Sequence, residues 1–195
     1  MRLPALFGVV IVYLLSPAFL LATKDANEPE IIFRPGASQT TDEAAALLGG
    51  YLWKLDVRVP KGSKMLWVSL EQKNGKPTEC STLGGSIGDS IAPDETSRTV
   101  LIAIVPIGGS ISQAEKVRFS IATISVSAVA TGTCSTVGEA VNPLRNLNIV
   151  STQFPPESLG KGKYSLIDGY KDGQTVSVPS GANVEQSIVV KIEAK

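Results

Sequence analysis

Apolar and polar residues alternate with a period of two from Tyr51 onward, and this alternation constrains the fold more than any other feature. In YLWKLDVRV (51–59), every odd-numbered residue is apolar and the charged residues fall at even positions. Successive side chains of a β-strand point to opposite faces, so the pattern predicts a strand with one buried and one solvated face. KMLWVSLEQK (64–73) repeats the pattern, with Leu66, Val68 and Leu70 on its apolar face.

Other stretches predict strands of different kinds. RTVLIAIVP (98–106) is apolar on both faces and predicts a central strand. KVRFSIATISVSAVATG (116–132) changes phase, which predicts a bulge or a crossing between two sheets near Thr123. EIIFRPG (30–36) predicts a short edge strand. Three more strands are predicted toward the C-terminus, in KYSLIDGY, QTVSV and VEQSIVVKI.

The first 22 residues differ in composition from the rest of the chain. Arg2 is followed by an uncharged, mostly apolar run that ends at Ala22, and the polar stretch TKDANEPE comes next. This order is typical of a secretory signal peptide, with cleavage after Ala18 or Ala22. An uncleaved anchor is the alternative, since about 20 apolar residues can span a bilayer. We therefore expect a protein that is secreted, periplasmic or held in the cell envelope.

The predicted fold class is all-β. About eight short strands punctuated by Gly, Pro and Asn predict an antiparallel β-sandwich of the Ig-like or jelly-roll-like type. One short helix is predicted in TTDEAAALLGG (40–50), before the first long strand. The tetrapeptide GGSI occurs at 84–87 and 108–111, on either side of the most hydrophobic strand, and we interpret both copies as turns.

These patterns divide the chain into a signal peptide (1–22), a lead-in segment with the short helix (23–50) and a β-sandwich domain (51–195). The stretch NPLRNLNIVSTQFPPESLGKGK is rich in Pro and Gly and shows little periodicity. We interpret it as a long crossover within one domain. A subdomain boundary near 143–163 is the alternative.

Cys80 and Cys134 are the two cysteines of the chain. Because both follow the predicted signal peptide, an oxidising compartment would favour a disulfide between them. Such a bond would close a long loop and stabilise the fold by about 4 kcal/mol in the chain-entropy picture. Two separate buried thiols are the alternative.

The composition excludes several kinds of chemistry. The chain has 18 basic and 18 acidic residues, so net charge gives no reason to expect nucleic acid as a partner. It contains no histidine, which rules out Ser-His-Asp sites and histidine-ligated metals. We therefore expect no enzyme activity, cofactor or metal. A weaker hypothesis is a calcium site made by Asp89, Asp94 and Glu95, which lie in one predicted loop.

Trp67 is the strongest candidate for binding. It lies on the polar face of its predicted strand, together with Met65, whereas Trp53 lies on an apolar face and is assigned to the core. An exposed aromatic side chain on a sheet suits contact with a glycan or a protein. The alternative is that a loop or the lead-in segment covers Trp67.

The C-terminal stretch YKDGQTVSVPSGANVEQSIVVKI resembles the closing strands of extracellular Ig-like and prealbumin-like modules. This resemblance implies a β-sandwich module outside the cell and assigns no functional residues. The expected function is therefore an exported, non-catalytic module with a structural or binding role, whose partner is an unknown protein or glycan. The alternatives are a small hydrolase that uses two carboxylates on a glycoside, and a subunit of an envelope assembly whose edge strand pairs with a neighbour.

Overall fold

The computed structural model describes residues 28–31, 49–74, 80–126, 131–151, 158–160, 162–171 and 184–195. The predicted signal peptide, the predicted helix before Gly49 and the predicted strand QTVSV lie outside these residues. Within them the chain forms eleven strands and no helix. In particular, the described residues contain no helix that is long and apolar enough to cross a membrane.

The strands form two antiparallel sheets that pack together as a sandwich. The strands are β1 (Glu30–Ile31), β2 (Tyr51–Arg58), β3 (Met65–Asn74), β4 (Cys80–Ser90), β5 (Ser97–Ile107), β6 (Lys116–Val126), β7 (Thr131–Val141), β8 (Asn148–Ser151), β9 (Ser158–Gly160), β10 (Lys163–Tyr170) and β11 (Gln186–Ala194). Sheet A has the order β1-β2-β5-β6-β7, and sheet B has the order β4-β3-β11-β10-β8, with β9 paired to β10.

The core lies between the two sheets and follows the alternation of the sequence. The all-β fold and the long strands predicted around Trp53, Val68 and Ile102 are confirmed, as is the short edge strand β1. β11 lies between β3 and β10, so the C-terminal strands belong to sheet B. The largest fully buried side chains are Trp53, Phe119, Leu55, Leu66, Leu70, Ile102, Ile104, Ile121, Leu144, Leu166, Ile167 and Ile188.

The bulge predicted near Thr123 is wrong. β6 pairs residue by residue with both β5 and β7, without a register shift as far as Val126. Thr123 is fully buried and continues the inward row of Phe119 and Ile121. Its hydroxyl donates a hydrogen bond to Asp89 Oδ2 on the opposite sheet, at 2.6 Å. The phase change in the sequence therefore reflects a polar residue at an inward position.

The first GGSI segment is also not the predicted turn, because it lies inside β4. Gly84 and Gly85 have positive φ values of 136° and 66°, and the pairing of β4 with β3 shifts register beside them, as in a β-bulge. A Cβ atom at Gly85, or at Gly138 on β7, would overlap the ring of Phe119. The second GGSI segment follows β5 and is the turn that was predicted, with positive φ at Gly108 and Gly109.

The predicted disulfide is absent from the structure, and both cysteine thiols are free. Cys134 pairs with Thr123 on the inner face of sheet A and packs against the core. Cys80 pairs with Lys73 at the start of β4, and its side chain lies close enough to Lys163 to interact with that ammonium group. The two side chains thus leave different sheets in different directions, and a disulfide needs its Cβ atoms about 4 Å apart.

Both thiols are expected to react with iodoacetamide in protein that has been unfolded without a reductant. Intact-mass and peptide analysis should find one carbamidomethyl group on each cysteine. Cysteines that become reactive only after reduction would show that a bond between them forms in the mature protein and would contradict this arrangement.

Candidate ligand-binding face

The outer face of sheet B carries the residues that the sequence put forward for binding. Trp67 lies near the start of β3, one strand in from the edge of this face, where it pairs with Gly88 of β4 on one side and with Glu193 of β11 on the other. Met65 lies two residues away on the same face and is half-buried. Leu66 and Val68, the neighbours of Trp67 along the chain, point into the core and are fully buried.

The indole of Trp67 lies flat across β4. A Cβ atom built on Gly88 would lie 2.9 Å from the indole Cη2 atom and 3.0 Å from Cζ2 and Cζ3. These nearly equal distances mean that the ring presents its face to Gly88, because an edge-on ring would place Cζ2 and Cζ3 farther away than Cη2. The side chain is 39% exposed, whereas Trp53 in the core is 1% exposed. Trp67 is therefore a partly open aromatic surface that rests on a residue without a side chain, and we call this indole on Gly88 the platform.

Hydroxyl groups and charges surround this aromatic surface. Ser69 and Ser86 are direct cross-strand partners in the next row of the face. In the row on the other side of Trp67, the Ser90 hydroxyl contacts the Met65 sulfur at 3.7 Å. The hydroxyls of Ser69, Ser86 and Ser90 therefore form a rim around the platform, and each can both donate and accept hydrogen bonds.

The charged groups beside Trp67 are held by ion pairs. Lys191 and Glu193 lie 3.0 Å apart, between Nζ and Oε1. The hydrogen bond from Lys191 holds the pKa of the Glu193 carboxyl below its usual range. Burial opposes this shift, and the charges of Lys191 and Lys195 lower the pKa by smaller amounts. The carboxylate next to the platform is thus anionic near neutral pH.

A second pair of charges lies farther along the same face. Lys163 Nζ on β10 is 2.6 Å from Glu71 Oε2 on β3, so the lysine crosses β11 beside the buried Val189. The hydrogen bond to Glu71 raises the pKa of Lys163, although burial opposes this shift. Near these residues, Asp168 Oδ1 accepts hydrogen bonds from Ser165 and Ser187, each at 2.7 Å. The polar groups of the face are therefore fixed by internal contacts.

Two of the three residues of the calcium hypothesis, Asp89 and Glu95, contact a buried arginine. Arg98 of β5 points inward from sheet A, and its side chain is 2% exposed. Its Nη1 atom is 2.5 Å from Asp89 Oδ2, and its Nε and Nη2 atoms donate to the two oxygens of Glu95 at 2.7 and 2.5 Å. Asp94 is exposed. The part of the chain described by the structure contains no group of three or more His, Cys, Asp or Glu residues that could hold a metal ion.

This interior cluster is tied to the surrounding strands by further hydrogen bonds. Arg98 Nη2 donates to the backbone carbonyl of Ser90 at 2.8 Å, and Asp89 accepts from Thr123. The Nη1 atom makes its close ion contact with Asp89 without the alignment of a hydrogen bond. The guanidinium group of Arg98 thus supplies the positive charge between Asp89 and Glu95, and its ion pair with Asp89 joins sheet A to sheet B.

No family model, curated protein or solved structure matches this chain. The functional interpretation therefore depends on the geometry of the chain itself.

Sequence reasoning placed Trp67 on the correct face but missed the residues that support it. Gly88 lies directly after the first GGSI segment, which was interpreted as a turn and therefore was not paired with β3. A sequence signal was available, because small residues alternate along LGGSIGDS in phase with the strand. The contact between Lys163 and Glu71 could not be predicted either, because it depends on β11 lying between their strands.

Proposed function

We propose that this chain is an exported, non-catalytic module that binds a glycan on the outer face of sheet B. The Trp67 indole, flat on Gly88 and partly open to solvent, is the observation that carries this proposal. Export through the N-terminal segment and an Ig-like or jelly-roll-like type of sandwich are part of the same proposal.

The chemistry of the face suits a saccharide. A pyranose ring has a face of C–H groups that packs on an aromatic ring, and its hydroxyls need partners that donate and accept hydrogen bonds. Trp67 supplies the aromatic ring, while Ser69, Ser86 and the Lys191–Glu193 pair supply polar groups around it. Because the platform lies on paired strands and its rim is held by internal contacts, little ordering is required on binding.

The same contacts favour binding over hydrolysis. Glycoside hydrolysis needs one carboxyl group that transfers a proton and a second that acts as a base or nucleophile. Two carboxylates of this face, Glu71 and Glu193, are each held by a lysine within 3.0 Å, and Asp168 is held by the hydroxyls of Ser165 and Ser187. We therefore expect a bound oligosaccharide to be recovered intact.

Replacing Trp67 with alanine is expected to weaken glycan binding about tenfold or more, because the stacking surface is lost. The wild type would first be screened on an array of oligosaccharides and insoluble polysaccharides. The Kd for each ligand found would then be measured by calorimetry for both proteins. A wild type that binds no glycan, or a Trp67→Ala protein with unchanged affinity, would contradict the proposal.

The Gly88→Ala variant tests whether binding depends on the orientation of the indole as well as on its presence. A methyl group at Gly88 would push the ring off the sheet, so affinity is expected to fall although Trp67 is retained. Gly132→Ala is the matched control, because Gly132 lies on β7 of the other sheet. Equal affinities for the Gly88 and Gly132 variants would show that the flat orientation of Trp67 has no part in binding.

A further inference from the structure

The described strands that lie at the edges of the two sheets, or that pair on one side only, differ in how well they are protected against pairing with another chain. β1 has two residues, and β8 and β9 have four and three. β4 is long but contains the bulge at Gly84 and Gly85. β7 has eleven residues, pairs with β6 over its whole length without a register shift, and has no described strand on its other side. It is thus the one long, regular edge among the described strands.

The side chains of β7 do little to discourage pairing. Natural edge strands are commonly protected by lysine, proline, bulges or inward-pointing charges. β7 has the sequence TGTCSTVGEAV, and its single ionisable group apart from the cysteine thiol, Glu139, is paired with Arg118 of β6 at 2.9 Å. Its β-branched residues are well suited to a sheet.

Two of the exposed large apolar side chains in the described part of the chain lie on β7 itself. Four large hydrophobic residues are exposed in the described part of the chain, and Trp67 is the one on sheet B. The other three lie on the outer face of sheet A: Ile107 on β5, and Val137 and Val141 on β7. Val137 is 63% exposed and Val141 is 77% exposed. Partial burial of Val137 and Val141 would favour association along β7.

We infer that β7 pairs antiparallel with β7 of a second copy of this chain, with the two-fold axis at Val137. The two five-stranded sheets A would then form one continuous ten-stranded sheet, since each sheet A has the order β1-β2-β5-β6-β7. The pairing uses sheet A and leaves Trp67 of both copies free, so it is independent of the proposed glycan binding.

The sequence of β7 is complementary to itself in this register. Val137 meets Val137, Glu139 meets Ser135, and Val141 meets Thr133. Cross-strand pairs of β-branched residues stabilise a sheet, whereas like charges directly opposite destabilise it. An axis at Glu139 would bring the two glutamates together, and the axis at Val137 avoids this. Pairing with a second copy therefore brings apolar side chains together and places no like charges opposite each other.

Disulfide trapping tests the register. Val137→Cys places two thiols next to each other across the axis, and oxidation with copper–phenanthroline should give a covalent dimer linked at position 137. Val141→Cys is the matched control, because it replaces the same residue type on the same face but faces Thr133 of the other copy. It is expected to cross-link at the level of the wild type, which has the same native cysteines. Cross-linking of Val137→Cys no higher than this level would overturn the register.

Light scattering coupled to size-exclusion chromatography tests the association itself. The wild type is expected to shift from monomer to dimer as its concentration rises. Val137→Lys should remain monomeric, because two lysines would meet at the axis. Ser81→Lys adds the same charge to the exposed side of the other long edge strand, β4, and should dimerise like the wild type. A wild type that stays monomeric at millimolar concentration, or a Val137→Lys protein that dimerises equally well, would refute the inference.

Discussion

Replacing Arg98 with methionine is expected to lower the free energy of unfolding by about 3–5 kcal/mol. The side chain is almost completely buried, and it is bound by Asp89 from the opposite sheet and by Glu95 from the segment before β5. Methionine would fill a similar volume but would leave two carboxylates in the interior without a positive charge. Chemical denaturation followed by circular dichroism would measure the change.

Arg118→Met is the matched control for this prediction. Arg118 lies on the neighbouring strand β6 and forms an ion pair with Glu139 at a similar distance, but both side chains are about half exposed. Exposed pairs contribute between about 0 and 1 kcal/mol, so this variant should be nearly as stable as the wild type. Similar stability changes for the two variants would show that burial of the Arg98 cluster does not control its energetics.

Replacing Gly138 with alanine is expected to destabilise the protein by about 1–3 kcal/mol, because the added methyl group would overlap the Phe119 ring. Phe119 lies between Gly138 of β7 and the Gly84–Gly85 bulge of β4, so it cannot move away from one strand without approaching the other. The packing of the two edge strands across the core therefore leaves no space for a side chain at this position.

The double variant Gly138→Ala/Phe119→Leu separates this overlap from other effects of alanine. A smaller side chain at position 119 should make the alanine less costly than it is beside phenylalanine, which a double-mutant cycle measures as a coupling energy. Gly132→Ala on the same strand is the control, because its methyl group would meet a single serine hydroxyl at 3.0 Å. A coupling energy near zero would contradict the packing described for Phe119.

Much of the sandwich could be predicted from the sequence because one face of each long strand is buried and the other is not. Leu66, Val68 and Leu70 are apolar because they point into the core, and the exposed Trp67 interrupts them. The prediction near Thr123 failed because this pattern assumes that buried positions are apolar. Thr123 is a polar residue at an inward position, and its partner, Asp89, comes from the other sheet. Periodicity records burial, and it cannot show a polar contact between distant strands.

The disulfide and the first GGSI segment could not be predicted correctly because both depend on how strands pair in space. Two cysteines after a predicted signal peptide favour a disulfide, but Cys80 and Cys134 belong to different sheets and point in different directions. The glycines at 84–85 were assigned to a turn by their propensity, and their role is to make room for Phe119 inside a strand. Gly88 supports Trp67 in a similar way. Close packing therefore places glycines within strands where composition alone indicates a turn.

A titration followed by the indole N–H signals in a ¹H–¹⁵N spectrum tests the glycan-binding proposal most directly. The chain has two tryptophans, so the spectrum contains one signal from the platform and one from the buried Trp53, and the Trp67→Ala protein identifies which is which. When an oligosaccharide from the array screen is added, the Trp67 signal should shift in proportion to the bound fraction while the Trp53 signal stays in place. Saturation binding of the same oligosaccharide that leaves the Trp67 signal unchanged would contradict the account.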